Sequence, residues 1–199
     1  MEQLISISLG YIFGCFQTSF LIGRLYKKVD IRQFGSGNAG TTNAIRVLGW
    51  KAGVLTFLGD SLKAILAIFL IRLFYNDQVF ALYTGLGVVI GHNFPFYLKF
   101  KGGKGIAATS GVLLAFDYRI ALVACLTFIV IVALTRYVSL GSLFIATWTP
   151  IAIYLFYPDR LEMLILGLIF MSLAYYKHMG NIKRLLKGEE NKLGQKKSA

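Results

Sequence analysis

The chain is short of cysteine, short of acid and without a basic leader. Its two cysteines, Cys15 and Cys125, sit inside apolar segments, and no C-x-x-C spacing occurs. That excludes a disulfide framework and a cysteine metal site, so both read as packing residues. Nine Asp and Glu stand against 21 Lys and Arg, a net charge of +12. Such an excess first suggests nucleic acid. Here, however, the basic residues lie between long apolar runs, which is the pattern of a membrane protein, and nucleic acid is set aside. The opening "MEQLISISLGYIFGCF" lacks the positive n-region and small-residue cleavage site of a secretory signal. Its apolar run is therefore expected to be retained as a span.

What is present is apolar residue. Hydrophobic side chains make up 56% of the chain, and the mean hydropathy is +0.65, too high for an ordinary soluble domain. A membrane helix needs about 20 mostly apolar residues. Runs of that kind cover 3–25, 52–74, 79–98, 118–135, 138–157 and 161–179. A shorter run, 105–116, is about half a membrane thick and reads as a short, tilted or re-entrant helix. With seven crossings and the N-terminus outside, only Arg72, Arg119 and Arg160 fall on the outer side and Lys63 within a span. All other basic residues then fall on the inner side, as the positive-inside rule asks. Removing the short crossing would export the basic tail. The expectation is one all-α, membrane-embedded domain over 1–199 with seven transmembrane helices, N-terminus out and C-terminus cytoplasmic. The polar basic tail, 183–199, reads as solvated or surface-bound over its last ten residues.

Spans one and three carry glycine pairs, Gly10/Gly14 and Gly87/Gly91. Such small-xxx-small pairs let helix backbones approach closely. They are expected to pack this bundle rather than a dimer interface, which points to a monomer. Asp60 and Lys63 in span two stand at i, i+3 and read as an internal ion pair.

The stretch "QFGSGNAGTTNAIRVLG", residues 33–49, holds a literal G-x-G-x-x-G at Gly35, Gly37 and Gly40, and Asp60 lies 20 residues past the last of these. A dinucleotide fingerprint needs a strand before it and a βαβ unit around it. A membrane span precedes this stretch, so that reading fails. A Walker A loop fails too, because Lys104 in "GGKG" is followed by glycine. The physics behind those motifs remains. Glycines allow positive φ, so successive N–H groups converge on an anion. A helix starting near Thr41–Asn43 would aim its N-terminus at the same spot. Gly35, Ser36, Gly37, Asn38, Ala39, Gly40, Thr41 and Asn43 thus form a candidate phosphate nest, with Thr42 beside it and Arg46 as a bidentate fork. The alternative is a flexible cytoplasmic loop.

Three further polar clusters fall at the same predicted membrane face. "GHNFPFYLKFKGGKGIAATSG" places Gly102, Gly103, Lys104 and Gly105 at the start of a short helix, where an anion is drawn. Pro95 is expected to end or kink span three, and His92, one turn earlier, is either structural or catalytic. Ser139 and Ser142 open span six, with helix capping as the alternative to a pocket role. His178 and Asn181, at i, i+3 in "YYKHMGNIKRLLKGEE", share a helix face. Polar groups at membrane depth are costly, and their convergence on one face is the main argument for a site.

A transporter with broken helices would hold anions at helix N-termini. It predicts internal repeats, of which none is evident, and a midplane site rather than one at a face. A purely structural membrane protein leaves the glycine–basic clusters unexplained. An interfacial enzyme acting on an anionic phosphate and a lipid tail accounts for both.

"FGSGNAGTTNAIRVLG", "GHNFPFYLKFKGGKGIA" and "KHMGNIKRLLKGEE" resemble the three signature regions of the bacterial acyl-phosphate:glycerol-3-phosphate acyltransferases, the PlsY type. The likeness runs over essentially the whole chain. It implies transfer of a fatty acyl group from acyl phosphate to the 1-hydroxyl of glycerol 3-phosphate at the bacterial inner membrane, giving lysophosphatidic acid and phosphate. By the same resemblance Ser36, Arg46, Lys104, His178 and Asn181 are the catalytic positions. Glu189 corresponds to an acidic residue of the third region with a structural role. The H-x4-D dyad of other glycerolipid acyltransferases is missing: Tyr97 lies five after His92, and Lys183 five after His178. No cofactor and no metal are expected. The mechanistic expectation puts the acyl phosphate on the 35–41 nest and clamps glycerol 3-phosphate with Arg46 and Lys104. Ser142, His178 and Asn181 complete the pocket. The general base is either His178 or a substrate phosphate oxygen.

Overall fold

The computed structural model describes residues 1–194. Its helices are α1 (Glu2–Cys15), α2 (Thr18–Ile22), α3 (Thr41–Leu48), α4 (Trp50–Arg72), α5 (Val79–Asn93), α6 (Ile106–Phe116), α7 (Tyr118–Thr135), α8 (Val138–Phe156) and α9 (Leu161–Leu186). Six segments are long and apolar enough to cross a membrane, among them Glu2–Lys27, which takes in α1 and α2. At 1.5 Å per residue the 11 residues of α6 span about 16 Å, half the hydrocarbon core. The chain divides into two compact units, residues 1–118 and 119–199.

In the first unit α1 packs along α5, and α4 packs on α6, α5 and α3. The glycine pairs account for the α1–α5 contact. A Cβ on Gly10 would strike the Thr84 carbonyl, and one on Gly14 the Val88 carbonyl. Reciprocally, Gly87 and Gly91 lie against the carbonyls of Ile7 and Tyr11. Both pairs read from the sequence therefore face one another, and any side chain there would push the helices apart.

The first span departs from the expected continuous helix. It breaks at Phe16–Gln17 and resumes at Thr18. In an apolar setting the carbonyls freed by a break need other partners. Lys63 Nζ takes those of Gly14 and Phe16, and Tyr97 Oη takes that of Cys15. Gln17 Nε2 reaches across to the His92 carbonyl at 3.0 Å. The break is thus set by donors on α4 and in the turn after α5 and by a carbonyl acceptor on α5, which no local pattern in the first span announces. Asp60 and Lys63 do form the buried ion pair, at 3.1 Å.

In the second unit α8 packs on α9. Trp148 Nε1 donates to the Ile120 carbonyl of α7, and Gly167 of α9 lies against Pro150 of α8. Helix α9 runs on to Leu186, beyond the end of the apolar run at 179. The chain then turns at Gly188, and Leu193 exchanges hydrogen bonds with Arg136: its N–H donates to the Arg136 carbonyl, and Arg136 Nη2 donates to its carbonyl. Residues 190–193 are therefore anchored, which corrects the expectation of a solvated tail from 190 onward. Residues 195–199 lie outside the described part.

Candidate active site

The loop between α2 and α3 is built around Asn43. Its side chain is buried; Nδ2 donates to the carbonyls of Ile31 (3.0 Å) and Phe34 (3.1 Å), and Oδ1 accepts the Ser36 N–H at 2.8 Å. Gly35 and Gly37 adopt φ of +61° and +70°, which the tight 34–37 turn requires and a side chain would resist. Helix α3 then starts at Thr41, where the sequence placed it, with Gly40 as an extended N-cap. The Thr41 hydroxyl is buried with no hydrogen-bond partner among the described residues. Ser36 and Arg46 are exposed, Asn38 and Gly40 are half-buried, and Ala39 is fully buried. Asn43, counted from the sequence among the ligand-binding residues, instead spends its amide inward on holding the nest in shape.

The second glycine loop doubles back along the end of α5. That helix stops at Asn93 before Pro95, as expected, and a short 3-10 turn follows at Phe96–Leu98. The N–H groups of Gly102 and Gly103 donate to the carbonyls of Asn93 and His92 at 3.2 and 3.0 Å. Gly105, at φ +85°, opens α6, so Lys104 stands at that helix's N-terminus, half-buried. A Cβ on Gly103 would run into His92 Nε2 and come within 2.6 Å of the Ala39 carbonyl. The two glycine loops, 60 residues apart in sequence, thus meet at Gly103. His92, one of the two positions left open by the sequence, lies beneath this junction and is buried.

A latch that composition alone had counted only as charge holds the loops together. Arg32 binds the Asp30 carboxylate through Nε (3.0 Å) and Nη2 (2.7 Å), while Nη1 donates to the carbonyls of Leu98 and Lys101 at 2.9 and 3.1 Å. Its guanidinium lies 5.3 Å from the Phe20 ring centroid. The Arg32 hydrogen bonds hold the Asp30 carboxyl below its usual range, and Asp30 raises Arg32 in return.

In the second unit the third region forms its own network. Glu190 is buried; Oε1 accepts from Asn181 Nδ2 (2.7 Å) and Ser139 Oγ (3.0 Å), and Oε2 accepts from Arg184 Nε (2.7 Å). The structural acid is therefore Glu190, and Glu189 is exposed. Two adjacent glutamates are indistinguishable by pattern; only the fold decides which one turns inward. Neither serine caps α8: Ser139 serves Glu190, and Ser142 donates to the Val138 carbonyl one turn back at 2.8 Å. His178 and Asn181 share a face of α9 and both are buried. His178 Nδ1 lies 2.8 Å from the Ala174 carbonyl. A carbonyl only accepts, so Nδ1 carries the proton and Nε2 is the lone-pair nitrogen of the neutral ring.

Among the described residues no three His, Cys, Asp or Glu side chains gather into a metal-binding group. The N–H groups of Ser36, Gly37, Gly40, Gly102 and Gly103 are taken up within the loops, so the candidate donors for an anion are the first N–H groups of α3 with Arg46 and Lys104.

The glycerol-3-phosphate acyltransferase family model matches residues 4–188. The chain belongs to that family. A glycerol-3-phosphate acyltransferase of Alkaliphilus metalliredigens is 46% identical over 198 residues, covering all of both chains. One from Clostridioides difficile is 43% identical, covering 98% of each. The crystal structure of PlsY, an integral membrane glycerol 3-phosphate acyltransferase, in its glycerol 3-phosphate form superposes with a TM-score of 0.89. It is 35% identical and covers 98% of this chain and 96% of that one. The lysophosphatidic acid form of the same enzyme gives 0.86 at 34% identity. This acyltransferase is thus an all-helical integral membrane enzyme of the PlsY type, as the three signature stretches implied.

Proposed function

We propose that this enzyme takes its acyl group from acyl phosphate and transfers it to the 1-hydroxyl of glycerol 3-phosphate, releasing lysophosphatidic acid and phosphate. The observation that carries the reading is the meeting of two phosphate-suited loops at Gly103 and Ala39. One reaction with two phosphorylated substrates needs two such loops side by side. The names of the relatives supply the acceptor, and the solved PlsY forms with glycerol 3-phosphate and lysophosphatidic acid agree with it.

Acyl phosphate is a mixed anhydride, so its carbonyl is already activated. The protein has to bring the hydroxyl to it and to stabilise the oxyanion and leaving phosphate. The nest of residues 35–41, with Ser36 and the α3 N-terminus, takes the acyl phosphate. Arg46 and Lys104 take the phosphate of glycerol 3-phosphate. Ser142, His178 and Asn181 are carried as reaction residues on the strength of the sequence alone. The hydroxyl oxygen attacks the acyl carbon, its proton passes to a phosphate oxygen, and the carbon–oxygen bond to the donor phosphate breaks. Phosphate monoesters have a second pKa of about 6, which suits a base at neutral pH. His178→Asn tests this. A loss approaching about 10⁴-fold in the chemical step of a folded variant, the full share one general base supplies, would return the role to His178.

The short helix α6 is taken as the crossing that makes seven, with the N-terminus outside and the active site cytoplasmic. The enzyme acts as a monomer. A transporter of phosphorylated solutes is the competing reading, and detergent separates the two because micelles have no compartments. Purified protein given acyl phosphate and glycerol 3-phosphate should release phosphate and lysophosphatidic acid, with an acyl thioester inert as donor. A thioester that serves equally well would overturn the donor assignment.

A further inference from the structure

Four groups surround the Lys63 ammonium. Nζ donates to the carbonyl of Gly14 at 3.0 Å and to that of Phe16, and lies 3.1 Å from Asp60 Oδ1 and 2.9 Å from His92 Nδ1. Lys63 is 5% exposed, Asp60 1% and His92 2%, so no bulk solvent mediates these contacts. Asp60 is itself held by the Thr18 hydroxyl at 2.9 Å. An ammonium has three hydrogens and no lone pair. Two carbonyls and a carboxylate have no hydrogen to give, so Nζ is the donor, and with three hydrogens for four acceptors one hydrogen is shared between two of them. A proton on His92 Nδ1 would therefore point at a cation that cannot accept it. Nδ1 must offer its lone pair, which leaves the neutral ring with its proton on Nε2.

That Nε2 edge is the one under Gly103, at the point where the Ala39 carbonyl also closes in. The same residue's carbonyl receives the Gly103 N–H at 3.0 Å and Gln17 Nε2 at 3.0 Å. Ring and main chain of His92 thus both seat the second glycine loop, and the ring's orientation and proton are set from behind by Lys63. The mechanism above uses neither Lys63 nor Asp60.

We propose that Lys63, balanced by Asp60, is a positioning residue for the acyltransfer reaction: it locks His92 in the Nε2–H tautomer and so holds loop 102–104 against loop 35–41, with Lys104 ready for an anion. One buried cation then fixes the helix break in the first span, the histidine tautomer and the seat of the loop together. His92 acts as a donor-side support, the opposite tautomer to His178. The tautomer lock stands independently of which substrate the loop takes; its kinetic consequence rests on the reading of Lys104 as a glycerol 3-phosphate ligand.

The chain has two histidines, so ring-¹⁵N labelling yields two ring systems, and a His92→Gln spectrum assigns them. At neutral pH the micellar wild-type enzyme should show His92 with a lone-pair Nδ1 and a protonated Nε2, and His178 the reverse. A protonated Nδ1 on His92 overturns the lock, whatever any variant does. In Lys63→Met the His92 Nδ1 resonance should move, and the KM for glycerol 3-phosphate should rise about tenfold or more with kcat within about threefold. If that variant does not fold, Asp60→Asn carries the kinetic arm with the same expected split. A collapse of kcat at unchanged KM overturns the positioning role. A shift confined to the donor's KM overturns the assignment of the loop to glycerol 3-phosphate while leaving the spectroscopic result standing.

Discussion

The side-chain oxygen of Asn43 accepts the backbone N–H of Ser36 at 2.8 Å, so the first residue of α3's buried face fixes an exposed serine of the glycine loop. The nest is held open from its own helix. Asn43→Asp keeps an acceptor for Ser36 but loses both donations to Ile31 and Phe34, and Asn43→Ala loses all three bonds. Each buried group left unsatisfied costs about 1–3 kcal/mol. The expected result is a graded fall in thermal stability, wild type above Asp above Ala, with activity falling faster than stability. Activity equal to wild type in a folded Asn43→Ala would remove Asn43 from the nest.

Arg46 is exposed at the last turn of α3, and among the described residues its fork makes none of the internal ties that occupy Arg32. Arg46→Ala should abolish turnover. Arg46→Lys should recover little, because an ammonium cannot replace bidentate binding of a phosphate. A lysine variant near wild-type rate would show that Arg46 supplies only charge.

Asp30 and Arg32 make the latch acid-sensitive. The folded carboxyl lies below its unfolded value of about 4, so the stabilisation is fully present above that pH. It is lost as pH falls through the lower, folded value. Arg32 stays charged throughout and adds no pH dependence in that window. Thermal scans of the wild type should lose stability on going below about pH 4. Asp30→Asn should start lower at neutral pH and flatten that acid limb. An unchanged limb would place the acid sensitivity elsewhere.

Glu190 accepts hydrogen bonds from Asn181, Ser139 and Arg184 together, so its loss reaches a proposed catalytic residue. Glu190→Ala should reduce the yield of folded enzyme, whereas Glu189→Ala should match wild type in melting temperature and rate. Similar behaviour of the two variants would contradict the assignment of the structural acid to Glu190.

Much of this fold was legible because membranes make strict demands. Apolar length marked the long spans within a few residues, except that α9 runs on past 179 to Leu186, and the half-length run ending at Phe116 emerged as α6. The paired glycines at Gly10, Gly14, Gly87 and Gly91 announced close helix contact, since only a missing side chain permits it. The tight turn at Gly35 and Gly37 and the start of α3 at Thr41 were legible from the glycines and the capping pattern. Illegible were the roles of Arg32, Gln17 and Glu190, and everything Lys63 does beyond its ion pair with Asp60. Each of these bonds to partners far away in sequence or, for Glu190, is chosen over an equal neighbour by the turn at Gly188. Asn43 was misjudged for a related reason: a polar residue in a polar loop gives no sign of whether it faces inward or out.

The sequence by itself determined the membrane class, the helix periods, the three signature stretches and the family. These depend on composition and local spacing, which survive without coordinates. The tertiary structure alone decided which polar groups spend their hydrogen bonds inside and which keep them for substrate. That is a matter of geometry between residues such as Lys63 and His92, 29 positions apart, and burial makes such long-range pairings obligatory once the helices close around them.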